Sequence, residues 1–481
     1  AGGRAVRVPP TILVPDAVCR SAGVLDPVRR SAGLPRMPAR RAAPAVRWVN
    51  AVMDFLTAYD ALPEDDVPRR VALLRQSMAA DKAALFTELR AHRPVFRTPV
   101  GVFVTRHPDV LEVLSAPGTF TVGVFGPALE EVLGAPFVLA RDGADLHWRE
   151  RGYGQVLLAA EDAPRVRELT ARIADAVLDE AIARGGDTFD LIQDYARLAA
   201  ARVAIAYLGL DGLDETVLHS CTRHMQWAFA VNPDRDPQVH ATGVAAGREL
   251  RERVGEVITR RRSAAEDGGD GSPDVLGRML RTRLPAEYGF DDERINANLA
   301  GYLTGYQQNA TQCTATALKE LALRPEALAE AERAAAAGDE ERFDSHVWEA
   351  LRFHPFVPVT PRLCLRDHVL AAGTPRQTVI AAKSVVLACF ASAMFDEEVL
   401  EAPAEFRPGR PPAHNLVLGY GAHDCLGKYA AQVIVPELVR RVLLRPGVRP
   451  LPGGERALDY AGTPFPQHYP VGSGRPAVPA A

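Results

Sequence analysis

The stretch 416–432, LVLGYGAHDCLGKYAAQ, sets Cys425 among Gly419, Gly421 and Gly427, with His423 two residues before the sulfur. A lone thiol in apolar surroundings is ordinarily a small, inert core residue. Glycines spaced in this way argue against that, because they let the backbone turn tightly and let a bulky flat group lie against it. A helix beginning near Lys428 would aim its unpaired N–H groups at the sulfur and favour thiolate over thiol. An exposed thiolate on such a loop is suited to hold a metal.

A second constellation lies upstream in HVWEALRFHPFVPVTPRLCLRD, where Glu349 and Arg352 stand at helical i, i+3 spacing and so share one face. Taken alone this is an ordinary surface pair. The intervening PAEFRPGRPP offers Arg410 as a third member. Together the three segments resemble the cytochrome P450 family, over a range from about residue 75 to the C-terminus. The resemblance implies a mainly α, cytochrome P450-type fold with a long distal helix over haem and a small β-rich region. It also implies haem b with an axial thiolate from Cys425, and a buried charge cluster made of Glu349, Arg352 and Arg410.

A thiolate suits haem chemistry because it pushes electron density to iron and favours O–O cleavage. Haem also carries two propionates, which need cations or strong donors when drawn into a protein. The resemblance places such donors at His147 and Arg151 of DLHWRERG, one helical turn apart, at Arg362 of PVTPRLC, and at His423. Arg149 is the alternative to Arg151. Leu418, Gly419 and Gly427 complete the cofactor-binding loop, with Leu418 standing where the family usually has phenylalanine. Pro436 is expected to kink or shorten the helix that follows the thiolate.

The distal helix is read in INANLAGYLTGYQQNATQCTATALKEL, residues 295–321. Counting back from Pro325, the place where the family carries an acid and then a threonine falls on Gln307, Gln308 and Asn309. Amides relay protons poorly because they do not ionise near neutral pH. Ala300, Gly301 and Thr304 give a second match to the family pattern, with Thr304 as the relay. The amides, Gln312 included, also fit a polar cavity lining satisfied by water. A third reading has Asn309 and Gln312 hold a peroxide, because Asn-x-x-Gln here resembles the helix of hydroperoxide-isomerising members.

Three functions follow from these alternatives. The first is a monooxygenase that oxidises an apolar small molecule with O2 and external electrons from a separate ferredoxin and its reductase. The second is a hydroperoxide isomerase or peroxygenase that acts on a lipid-like peroxide without a redox partner. The third is a haem protein without catalysis. Lys428, Arg440, Arg441 and Arg445 offer either a docking patch for an acidic ferredoxin or a solvated helix face. Phe120, Phe125, Met225, Trp227 and Phe229, in segments 115–140 and 215–245, line an apolar pocket or belong to the core.

The remaining sequence must position these groups. The chain has 481 residues, 47% apolar and 24% charged, enough for a large core. Its formal net charge of −4 exerts no global pull toward nucleic acid or an acidic membrane. Six cysteines without a C-x-x-C pair point to a reducing compartment, and no apolar run is long enough for a membrane span, so a cytoplasmic protein is expected. Residues 1–45, rich in Arg, Pro and Ala, read as a loosely ordered arm, and 46–481 as a single haem-thiolate domain. Helical patterns dominate, as in DKAALFTELRAHRP, HPDVLEVLSAP and APRVRELTARIADAVLDEAIARGG, while VFRTPVGVFVTR alternates like a strand pair. SAAEDGGDGSPD, at 263–274, reads as a surface loop.

Overall fold

The alternation in VFRTPVGVFVTR folds as a hairpin, β1 (Val95–Thr98) against β2 (Gly101–Val104), in a computed structural model that describes residues 54–474 apart from 233, 267–270, 283 and 457. The arm expected over 1–45 lies outside the described residues. Gly101 is required where it stands, at φ +149°, because a Cβ there would meet the Val385 carbonyl oxygen at 2.8 Å. That approach lets β2 pair in parallel with β8 (Val385–Ala388). The strands between are β3 (Phe120–Thr121), β4 (Thr188–Asp190), β5 (Thr360–Cys364), β6 (His368–Leu370) and β7 (Thr378–Ile380), and β9 (Pro470–Gly472) follows. The main sheet has the order β1-β2-β8-β5-β3, and β4-β9 and β6-β7 form two small antiparallel pairs.

Helices make up most of the fold. They begin with α1 (Phe55–Asp60), α2 (Val67–Ala80), α3 (Lys82–His92), α4 (His107–Ser115), α5 (Gly126–Leu133), α6 (Arg149–Leu157), α7 (Ala163–Gly185) and α8 (Arg197–Leu208). They continue with α9 (Glu215–Ala230), α10 (Pro237–Glu266), α11 (Val275–Arg281), α12 (Asp292–Ala322), α13 (Pro325–Ala337), α14 (Glu340–Phe353), α15 (Phe390–Ala393) and α16 (Lys428–Leu443). Capping explains where the important ones start. The Asp214, Asp291 and Asp339 side chains accept backbone N–H bonds at the N-termini of α9, α12 and α14. At the other end of α7, Gly186 takes φ +66°, where the sequence pattern ended.

Two expectations change. Residues 263–266 are the last turn of α10 rather than loop. α16 keeps its full 16 residues through Pro436, so the helix is not shortened. The 31-residue α12 runs through the centre of the helical layer with most of its residues buried, packing on α8, α9, α10, α14 and α16. Burial on nearly every side makes it the element on which the other helices register. Among the described residues no helix is long and apolar enough to cross a membrane.

Candidate active site

The loop before α16 is closed by its own backbone, with Cys425 N–H donating to the Leu418 carbonyl at 2.7 Å. Gly419 and Gly421 take φ +75° and +74°, and a Cβ on Gly421 would lie 2.5 Å from the Leu114 carbonyl oxygen. Leu418 is half-buried and contributes its carbonyl rather than a packed ring. Gly427 is the N-cap of α16, and the space where its Cβ would point is open. Cys425 is half-buried, whereas Cys221, Cys313, Cys364 and Cys389 are buried. Burial pushes the Cys425 thiol up, against the backbone N–H of Gly427 and the positive charges of Arg151 and Lys428.

The four expected propionate donors gather round this loop. Buried His147 sets Nδ1 2.9 Å from the Val138 carbonyl and Nε2 3.1 Å from that of Ala422, and its ring lies tilted with its centroid 4.3 Å from that of His423. His423 Nε2 meets Asp142 Oδ1 at 2.8 Å. Burial acts to raise the Asp142 carboxyl, but His423, the Val122 N–H and the field of Arg362 together hold it low. Arg151 pairs with Asp424 through Nη2, while its Nη1 is buried without a partner. Arg362, on β5, is 5% exposed and bonds only Thr360 Oγ1 and the Pro361 carbonyl, and burial pushes it down to about 10. Arg149, the alternative to Arg151, is exposed, with its guanidinium over the Tyr288 ring.

These features fit haem on grounds internal to this chain. A buried guanidinium that hydrogen-bonds no carboxylate and has only the field of Asp142 is costly, and Arg151 Nη1, on the arginine paired with Asp424, is a second donor left without a partner. The open position at Gly427 and the half-buried sulfur leave room for a flat group against the loop.

The charge cluster forms as the resemblance implied. Arg352 grips both oxygens of Glu349 at 2.8 and 2.9 Å, and Arg410 Nε reaches Glu349 Oε1 at 3.2 Å. Arg352 also donates to the carbonyls of Met394 and Pro403, each at 2.8 Å. Asn415 Nδ2 in turn donates to the Trp348 carbonyl at 3.0 Å. α14 therefore clamps the segment that leads into the cysteine loop.

The distal amides divide into two groups. Gln307 donates to the Arg197 carbonyl of α8 at 2.9 Å, and Gln308 to the His219 carbonyl of α9 at 3.3 Å, so both are packing residues turned toward neighbouring helices. Thr304 donates to the Ala300 carbonyl, and Gly301 is where the Phe137 ring presses on the helix. None of these faces the sulfur. The accessible stripe of α12 is Gly305, Tyr306 and Asn309, and Asn309 Oδ1 accepts from Gln226 Nε2 at 2.9 Å. Gln312, one turn on, carries a buried Nε2 without a partner.

The α12 group that senses Cys425 is Cys313, whose thiol burial pushes up to about 12 with the sulfur's charge adding to it. Sequence reasoning passed over it and the neighbouring Thr314, whose hydroxyl donates to the Ala310 carbonyl at 2.8 Å. A signal was available: Ala310, Cys313, Thr314 and Ala317 put small side chains on one helical face, as a flat group beneath would require.

Other expectations resolve as core or solvated surface. Phe120 and Met225 are core, with Phe120 5.0 Å from the His368 ring, while Phe125, Trp227 and Phe229 are half-buried. The basic residues of α16 are all paired with acids: Lys428 with Asp424 at 2.9 Å, Arg440 with Glu437 at 3.4 Å, Arg441 with Asp175, and Arg445 with Asp179 at 2.9 Å. They offer no unmatched patch for an acidic partner.

Comparison with known proteins agrees with this geometry. The family model described as Cytochrome P450 matches residues 222–460. Cytochrome P450-terp of Pseudomonas sp is 25% identical over 395 residues, which cover 76% of this chain and 87% of that protein. Steroid C26-monooxygenase of Mycolicibacterium smegmatis is 24% identical over 359 residues, covering 74% and 83%. The crystal structure of CalO2 superposes with a TM-score of 0.70 at 23% identity, over 83% of this chain and 98% of that one.

Proposed function

The chain belongs to the cytochrome P450 family, and from that premise we propose that it is a monooxygenase that inserts one oxygen atom into an apolar small molecule, with electrons delivered by a separate redox protein. Family and fold imply haem with a cysteine thiolate, which makes the chain an oxidoreductase. The observation that carries the assignment to Cys425 is its contrast with the other described cysteines. It alone among them is half-buried, and it sits beside two arginines with unmet demand for an anion.

Thiolate-held haem supplies dioxygen activation, because the sulfur pushes electron density to iron. The chain's own residues do the rest. Gly427 N–H and the charges of Arg151 and Lys428 favour the sulfur's anionic form against the burial that opposes it. Arg151, Arg362, His147 and His423 are the residues that would bind the propionates. α12, buried along most of its length, would limit water over the site. The oxygen of Thr314 keeps its proton directed at the Ala310 carbonyl. The hydroperoxide reading rests on Asn309 and Gln312, and both polar ends of the Asn309 amide are already bonded, Oδ1 to Gln226 Nε2 and Nδ2 to the Gly305 carbonyl.

The test joins a spectrum to a turnover assay. Reduced parent protein under carbon monoxide should absorb at the thiolate-specific position, and Cys425→Ser should fold yet lack that band. With ferredoxin, its reductase and labelled dioxygen, product should carry label. Turnover confined to added peroxide would overturn the monooxygenase reading.

A further inference from the structure

The interior arginines follow one pattern. Arg106 reaches Asp396 at 2.6 Å, Arg167 reaches Asp344 at 2.6 Å, Arg278 reaches Asp162 at 2.5 Å and Arg376 reaches Asp109 at 3.0 Å. Each of these four charges has its carboxylate, as the cost of stranding one demands, and Arg197, bonded to the Gln193 carbonyl, lies in the field of Asp194, Glu215 and Asp190. Arg362 breaks the pattern, and the haem propionates account for it. Arg223 breaks it too, and no haem group accounts for that.

Arg223 lies on α9, half-buried, and its one bond is from Nη1 to the neutral Gln467 Oε1 at 3.0 Å. Its Nε is fully buried without a partner. The only other charge it feels is Arg197, so it sits in a positive field, and the same field helps burial hold nearby His219 down to about 3. Gln467 is held for this contact: its amide nitrogen donates to the Phe465 and Pro466 carbonyls at 3.0 and 3.2 Å, which turns its oxygen toward Arg223.

The position is linked to the open face of α12. Gln226, one turn along α9 from Arg223, or about 5 Å, donates to Asn309 on the accessible stripe. Its own Oε1 is buried without a partner, as is Nε2 of Gln312. Cys313, one turn beyond Asn309, senses Cys425. These contacts link Arg223 through α9 to the stretch of α12 that senses Cys425, and Trp227 and Phe229 of α9 are half-buried nearby in sequence.

We propose that Arg223, with Gln467 beside it, is the anion subsite of the substrate, and that the substrate is an apolar carboxylic acid whose carboxylate is held there while its chain lies along α12. This rests on the monooxygenase reading and narrows its substrate class. A lone guanidinium with free donors matches one carboxylate in charge and shape.

The test uses the haem-loaded protein, first shown by its carbon monoxide spectrum to be thiolate-ligated. Octanoic to hexadecanoic acid, each against its own primary amide, is titrated and the haem absorption shift gives the affinity. In the parent the better acids should bind about 10- to 100-fold tighter than their amides, the value of one charge-assisted pair. Arg223→Gln should abolish that preference, and Arg223→Lys should restore part of it. Equal binding of acid and amide by the parent, or no shift with any acid, would overturn the proposal even if Arg223→Gln fails to fold. Persistence of the preference in Arg223→Gln would overturn it as well. A normal carbon monoxide spectrum alongside either result would leave the haem-thiolate assignment standing.

Discussion

The two sides of α12 treat charge in opposite ways. On the side of α14 and the cysteine loop, Glu349 serves Arg352, Arg410 and the Arg407 N–H at once, and both of its oxygens are used. On the side of α9, Gln226 Oε1, Gln307 Oε1, Gln312 Nε2 and Arg223 Nε are buried with nothing to bond. Both sides are polar, but the Glu349 cluster is complete, whereas Arg151 Nη1 by the cysteine loop shares the lack seen on the other side. Groups matched within the chain hold the fold, and groups left unmatched mark where something from outside must complete them.

Breaking the complete side should cost most. Glu349→Ala strands two guanidiniums, at about 3 to 5 kcal/mol for a broken buried pair. Little soluble haem-loaded protein should be recovered, by the ratio of haem to protein absorbance. Normal loading in both Glu349→Ala and Arg352→Ala would mean that the pair is not structural. Arg362→Leu tests the boundary between the two sides, since on the proposed function its partner is a bound anion rather than a residue. It should fold, because no carboxylate is left behind, and should lose haem to apomyoglobin about 10- to 100-fold faster, as expected for one charged hydrogen bond. An unchanged loss rate would place the propionates elsewhere.

The smallest effect is expected at Gln308. Its contact with His219 is long, at 3.3 Å, and both groups are buried. Gln308→Leu should cost about 1 kcal/mol in denaturant unfolding and leave substrate-induced spectral shifts as they were. A tenfold change in ligand affinity would return Gln308 to the site.

Much of the complete side was legible in the chain itself. Cys425 among its glycines and Glu349 and Arg352 one turn apart depend on local spacing, which survives folding, while the cations at 147, 151, 362 and 423 were implied by the family resemblance. The docking patch was not legible, because the acids that pair with Arg441 and Arg445 come from α7, far away in sequence. That Gln307 and Gln308 turn toward α8 and α9 was not legible for a related reason. A helix presents a new residue every 100°, so a wrong starting point turns a lining residue into a packing one.

The sequence by itself determined that α12 is a helix, that the cysteine loop turns as it does, and which residue types carry charge. Those properties belong to backbone preference and side-chain chemistry. Only the tertiary structure decided which face of α12 opens, so that Asn309 is accessible while Gln307 and Gln308 are spent on α8 and α9. It alone left Arg223 opposite Gln467 with no acid paired to it among the described residues. The physical reason is that a missing partner is a statement about every residue nearby in space, and no stretch of sequence contains that neighbourhood.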